Sequence, residues 1–126
     1  MQVNAATVAD IPALSDLLSL LFAQEAEFRP DPAAQQRGLA AIINDPAVGT
    51  ILVARDGGAV LGMVNLLFTV STALGTRVAL LEDMVVTTRA RNRGVGAELL
   101  RTAIVFARDH GCRRITLLTD ADNVRA

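Results

Sequence analysis

The sequence has no tyrosine and no tryptophan, and only four phenylalanines in 126 residues. Neither a phenol nor an indole is present to donate a proton or report on binding. The single cysteine, Cys112, excludes an intramolecular disulfide and a cysteine cluster for zinc. No metal site is expected. Charge of one sign is also missing. Twelve basic and 13 acidic side chains leave a net charge of −1. A broadly nucleic-acid-binding surface is therefore not expected, although a local basic patch is compatible with that balance. No apolar run is long enough to span a bilayer. No basic-then-apolar segment of the secretory kind precedes the first strand. The expectation is a cytoplasmic chain without a membrane partner. There is no repeat, low-complexity run or linker, so residues 1–126 are read as one domain. Apolar residues make up 52% of the chain, enough to build a packed core.

What is there alternates between two periodicities. Residues 1–8 read as a short strand, with Asp10 as an N-cap and Pro12 in the first turn of a helix. Ile11, Leu14, Leu17, Leu18, Leu21 and Phe22 then keep helical spacing. Pro30-Asp31-Pro32 ends that helix. A second helix runs from about Ala33 to Ile43, stopped by Asn44-Asp45-Pro46. Gly49 to Arg55 and Ala59 to Val70 read as a hairpin around Asp56-Gly57-Gly58. On its second strand Val60, Val64, Leu66, Phe68 and Val70 are expected on one face, with Asn65, Thr69 and Ser71 opposite. After a turn at Ala73-Leu74-Gly75-Thr76, a strand runs from Arg77 to Val86. A helix to about Asp109 comes next, with Leu100, Ala103, Ile104 and Ala107 as its inner stripe, flanked by Leu99 and Phe106. Gly111 closes it as a C′ glycine, and Arg113 to Thr119 is a further strand. The order is β-α-α-β-β-β-α-β with the start of another helix. The hairpins argue for a mixed sheet in an α/β fold rather than a doubly wound parallel one.

The stretch from Val85 to Leu100 draws attention. A β-branched strand runs into a short basic loop with Gly94 and Gly96, and then into a helix. Glycines let the backbone turn its N–H groups toward a ligand, and the helix N-terminus adds about half a positive charge. Arg89, Arg91 and Arg93 add guanidinium groups that can grip phosphate oxygens. A diphosphate is the natural guest.

Arg91-Asn92-Arg93-Gly94-Val95-Gly96 resembles the R/Q-x-x-G-x-G/A loop of the GNAT superfamily of acetyl-CoA-dependent N-acetyltransferases. Leu81-Glu82-Asp83-Met84-Val85-Val86 is similar to that family's fourth strand, and Ile115-Thr116-Leu117-Leu118-Thr119 to its fifth. Asp122-Asn123-Val124-Arg125-Ala126 is similar to the opening of its next helix. The likeness is tight from about Leu80 onward and architectural before it. It implies a GNAT-like acyl-CoA N-acyltransferase fold in which strands 4 and 5 splay apart around acetyl-CoA. It further implies that backbone groups of Met84, Val85 and Val86 meet the pantetheine arm. Arg91, Asn92, Arg93, Gly94, Val95, Gly96 and Ala97 would hold the diphosphate, and Asn123 would reach the arm from across the splay. Glu82 stands where several small-amine acetyltransferases carry a glutamate that works as a base through water. A carboxylate on an apolar strand can have its pKa raised toward a useful range. Asp83 would face the opposite side of the strand and serve structure.

The chain departs from the family in two respects. It holds no tyrosine to protonate the leaving thiolate, and it ends before the family's last two strands. An expectation of acetyl transfer to a small-molecule or peptide amine therefore stands beside that of a non-catalytic acyl-CoA-binding or regulatory module. A dinucleotide-binding protein is the third reading. It rests on Gly94-Val95-Gly96 and on Asp120 about 20 residues on, but Leu99 stands where that motif wants glycine. Glu25, Glu27 and Asp31 make the linker between the first two helices acidic, which suits a cationic amine. His110 is expected to interact with the C-terminus of its helix, and Cys112 to be a small buried apolar residue. A homodimer is compatible with the resemblance.

Overall fold

The computed structural model describes residues 1–25 and 29–117. Ten elements are formed, two of them short 3-10 turns at Val8–Asp10 and Thr88–Ala90. The others are β1 (Gln2–Ala5), α1 (Ile11–Ala23), α2 (Pro32–Ile43), β2 (Gly49–Asp56), β3 (Ala59–Ser71), β4 (Thr76–Val86), α3 (Val95–Asp109) and β5 (Ile115–Leu117). The strands form one sheet in the order β1-β2-β3-β4-β5. Pairing is antiparallel until β4–β5, which is parallel. The mixed sheet expected from the hairpins is what forms. Leu118 and Thr119, expected to continue β5, and Asn123, expected in the next helix, lie outside the described residues.

Helices cover both faces of the sheet. Leu14, Leu17 and Leu18 of α1 and Leu39 of α2 pack with Ile51, Val53, Met63 and Val85. On the other face Val95, Leu99, Ala103 and Ala107 of α3 pack with Leu52, Ala54, Val64, Leu66, Ala79 and Leu81. Two apolar layers thus sandwich the strands, which is why β2 and β3 read as nearly continuous apolar runs. The inner stripe of α3 is corrected by this packing. It repeats every fourth residue from Val95, whereas Leu100 and Ile104 are 40% and 43% exposed. Helix α3 is apolar on two faces, and periodicity alone did not say which one meets the sheet.

Asp31 caps α2 by accepting from the Ala34 N–H at 3.2 Å, and Pro32 takes the first helical position. The buried Gln35 then ties α2 to α1. Its Nε2 donates to Ser15 O and Ser19 Oγ, both at 3.0 Å, and its Oε1 accepts from Asp31 N–H at 2.7 Å. Among the described residues no buried side-chain polar atom lacks a partner.

Asp10 does not cap α1 as expected. Its carboxylate accepts from the Thr7 N–H at 2.8 Å and forms a two-pronged pair with Arg55 on β2. Arg55 also donates to Asn4 on β1. A guanidinium 45 residues away outcompetes the local backbone, because a bidentate charged pair is stronger than a cap. The Arg55 guanidinium, helped by the Thr7 N–H and opposed by burial, holds the Asp10 carboxyl at about 2, below its ordinary 3.8. A depressed carboxylate stabilises the fold above its unfolded pKa and loses that contribution as pH falls through the folded one. About 2 kcal/mol should therefore be present above pH 4 and vanish between about pH 4 and 2. Denaturant melts of the unaltered chain and of Asp10→Asn should differ by that amount at pH 7 and converge at pH 2. Parallel curves over that range would disprove the assignment.

Two bulges interrupt the ladders. Ala54 pairs with Gly62 but Arg55 with Val60, so Leu61 is an extra residue on β3. Val60 accordingly packs with the α1–α2 cluster, not with Val64, Leu66 and Phe68 as strict alternation implied. The second bulge lies on β4. Leu66 pairs with Leu81 and Asn65 with Asp83, which leaves Glu82 without a cross-strand partner of its own.

Candidate functional site

Among the described residues, the far end of β4 presents an open edge. The Thr87 N–H donates to Leu61 O at 2.8 Å, so that rung is hydrogen-bonded across β3. Antiparallel rungs alternate. Val86 opposite Gly62 and Met84 opposite Val64 are then the rungs whose backbone groups point away from β3. Among the described residues, β5 pairs with Ala79, Leu80 and Leu81. Among the described residues, the edge from Met84 to Val86 has no strand beside it. Met84 is exposed, Val85 is buried toward α1, and Val86 leans on the α3 cluster. Close approach of β3 makes this arrangement possible. A Cβ at Gly62 would meet Val85 O at 2.9 Å and Leu99 Cδ1 at 3.1 Å.

From that edge the chain passes through the 3-10 turn at Thr88–Ala90 into a loop with two left-handed residues, Asn92 (φ 64°) and Gly94 (φ 80°). Asparagine and glycine are the residues that tolerate this region most readily. The first donor of α3 to close on its own turn is the Glu98 N–H, to Gly94 O at 3.1 Å. The amides of Val95, Gly96 and Ala97 lead the helix, where helix geometry supplies no intrahelical acceptor. Arg89, Arg91 and Arg93 are exposed on the turn and loop that precede these amides, and Arg91 Nε reaches back to Val86 O at 3.5 Å. The structure therefore brings together Met84, Val85, Val86 and the loop from Arg91 to Ala97. Among the described residues, the result is a strip of backbone edge with no strand beside it, running into a basic cradle at the end of a 15-residue helix. Asn123 lies outside the described residues.

Glu82 is exposed on the bulge just before that edge. Asp83 is half-buried and is not the plain opposite-face residue expected, because the bulge breaks the alternation behind that placement. Asn65 Nδ2 donates to Asp83 Oδ2 at 2.8 Å, and Asn65 Oδ1 accepts from the Asp83 N–H at 3.0 Å. Burial pushes the Asp83 carboxyl up from its ordinary range. The Asn65 bond opposes this, and the charge of neighbouring Glu82 adds to it. Asn65 was legible only as a polar residue in an apolar strand, and its pairing with Asp83 was not foreseen.

Other candidates take structural roles. His110 is the C-cap of α3. Its Nδ1 lies 2.8 Å from Phe106 O and its ring stacks on Phe106 at 3.9 Å. Cys112 is half-buried against the α3 cluster. Of the acidic linker, Asp31 is spent on its cap, Glu25 is half-buried, and Glu27 lies outside the described residues. A cavity of about 420 Å³ opens at the other end of α3, lined by Ile104, Arg108, Cys112 and Arg114 among others, and includes none of the loop. Among the described residues no helix is long and apolar enough to cross a membrane, and no cluster of side chains could hold a metal ion.

Comparison with known proteins fits this geometry. A family model described as the acetyltransferase (GNAT) family matches residues 12–126. An uncharacterized N-acetyltransferase of Bacillus subtilis (strain 168), YhfO, is 30% identical over 129 residues, spanning 100% of this chain and 83% of its own. Among solved structures, an integron cassette protein from the mobile metagenome of Cole Harbour Salt Marsh superposes with a TM-score of 0.86. It is 30% identical over 94% of this chain and 77% of its own. A structure described as a transcriptional regulator from Bacillus halodurans C-125 superposes with a TM-score of 0.83. It is 26% identical over 99% of this chain and 85% of its own.

Proposed function

The chain belongs to the acetyltransferase (GNAT) family, and from that membership we propose that it moves the acetyl group of acetyl-CoA to a primary amine of a small molecule or peptide by direct attack. The observation that carries this reading is the continuity of the open β4 edge with the basic loop and the α3 N-terminus. A long donor with an amide-bearing arm and a diphosphate needs both parts in line. The Met84 backbone groups and the Val86 N–H suit the arm's amides, while Val86 O already accepts from Arg91. The loop from Arg91 to Ala97 suits the diphosphate through backbone N–H groups, helix dipole and guanidinium charge. The donor's thioester would then lie toward Glu82.

Only a neutral amine attacks. In this reading Glu82, acting through water, takes the proton of the acceptor ammonium. The nitrogen lone pair forms the new C–N bond at the thioester carbon, the nitrogen gives up its second proton to solvent, and the carbon–sulfur bond breaks, which leaves a neutral amide. A backbone N–H at the open edge supports the negative charge that develops on the thioester oxygen. The thiolate leaves and takes up a proton.

Isothermal titration tests the donor site, with NAD as the control ligand. Acetyl-CoA should bind in the micromolar range, on the order of −8 kcal/mol, and NAD should not. Mass spectrometry over a panel of amines should then detect acetylated product. Binding of NAD alone would overturn the reading. Gly96→Ala sharpens the test. A Cβ there meets only Val86 Cγ2 at 3.8 Å, so the fold accepts it. Alanine in a helix is favoured over glycine by roughly 1 kcal/mol. The melting temperature should rise or hold while acetyl-CoA affinity falls about tenfold, because the methyl occupies space beside the leading amides. Unchanged affinity would remove Gly96 from the site.

A further inference from the structure

Asn65 is 4% exposed in the middle of an apolar strand, and its side-chain amide makes one donated and one accepted hydrogen bond, both with one residue of the partner strand. In an unbroken ladder the Asp83 N–H would reach the backbone oxygen of its β3 partner. At the bulge it reaches the Asn65 side-chain oxygen at 3.0 Å. That donor must meet an oxygen, which fixes the amide orientation and turns Nδ2 onto the Asp83 carboxylate. Asp83 Oδ2 is thereby held, while Oδ1 has no protein partner among the described residues. Glu82 stands on the same rung.

We propose that Asn65 is a positioning residue for acetyl transfer, acting through Asp83: it locks the β4 bulge and holds the Asp83 carboxyl by one oxygen beside Glu82. The proposal rests on the transfer reading above. The bulge makes two carboxyl groups share one rung at the mouth of the open edge, and only Asn65 decides how the second is oriented. Little else there can do so. β3 carries no charged residue. On α1, which packs on this face with Leu14, Leu17 and Leu18, the sole charged residue is the exposed Asp16. The charge of neighbouring Glu82 adds to the upward push of burial on Asp83. A hydrogen bond to the ionised carboxylate favours its charged form, against the burial that disfavours it. Losing Nδ2 should shift Asp83 ionisation, and any activity that depends on it, to higher pH.

Two variants separate this role from simple bulge support. Asn65→Asp keeps the shape and the oxygen that accepts from the Asp83 N–H, but replaces the amide donor by a second carboxyl, so that the pair shares a proton and Asp83 ionisation moves to higher pH. Asn65→Asp combined with Asp83→Asn restores the reciprocal pair with the carboxylate moved to β3. The experiment measures melting temperature, acetyl-CoA affinity by calorimetry, and pH profiles of kcat and kcat/KM with the best amine found. Asn65→Asp should lower kcat at least tenfold at neutral pH and move the acid limb of kcat/KM upward by about one pH unit, with acetyl-CoA affinity changed less than twofold. The double variant should recover the melting temperature but not kcat. Recovery of both overturns the proposal and leaves Asn65 as bulge support, as does an unmoved acid limb in Asn65→Asp. Absence of turnover in the unaltered chain, with acetyl-CoA still bound, is a different failure. It overturns the transfer reading and this proposal together.

Discussion

Replacing Glu82 by glutamine is expected to reduce kcat by about 100-fold at neutral pH while leaving the acetyl-CoA dissociation constant within twofold. Glutamine keeps the length and the hydrogen-bonding reach of the side chain but cannot take a proton. Positioned general bases contribute on the order of 10² to 10⁴ in rate. The lower end applies because Glu82 is exposed and works through solvent. It lies on the bulge, outside the loop from Arg91 to Ala97, so the donor should bind as before. A pH profile adds a second check. An alkyl ammonium has a pKa near 10, so the fraction of amine already neutral rises with pH. The gap between the unaltered chain and Glu82→Gln should narrow steadily from pH 7 to pH 10. A variant as fast as the unaltered chain at pH 7 would show that the base lies elsewhere. Asp83, on the same rung, would then be the next residue to test.

Asp83 comes into play through a feature the sequence does not announce. The strand order, the hairpins, the mixed sheet and the loop before α3 were legible. Each depends on local signals: proline stops, glycine turns, and a change of period from two to about four. The bulges at Leu61 and Glu82 were not. The bulge at Glu82 has no glycine or proline beside it, and Gly62, next to the bulge at Leu61, was not used as a signal; each bulge inserts one residue and inverts the face of the strand beyond it. Val60 therefore changed sides, and Asp83 lost the neat separation from Glu82 that alternation gave it. Asp10 failed for another reason. Its spacing to Pro12 is that of a cap, but Arg55 lies 45 residues away and no local pattern reports it. Contacts that cross the chain decide the details of this site, and local periodicity decides its frame.

The largest loss of stability is expected from Leu99→Ala. Leu99 is 0% exposed and sits one turn into α3, against β3 where Gly62 permits close approach. Removing a fully buried leucine side chain costs about 3–4 kcal/mol, part transfer and part cavity. Against the roughly 5–15 kcal/mol that holds a domain together, this should lower the melting temperature by about 10 °C. Leu100→Ala is the built-in control. Leu100 is the next residue, was expected on the inner stripe, and is 40% exposed. Its truncation should cost under about 1 kcal/mol. A reversed ranking would mean that α3 packs through its other apolar face. Leu99 also joins stability to function, because it pins the turn whose leading amides form the proposed diphosphate cradle. If the loop survives in Leu99→Ala, acetyl-CoA at about 100 times its dissociation constant should return about 2.7 kcal/mol by binding only the folded form, most of what was lost. If it does not, saturating donor should leave the melting temperature low, because the free energy lost from the core would then include the cost of rebuilding the site. Either result locates the coupling: a rescued variant places it in the general stability of the sheet, and an unrescued one in the first turn of α3.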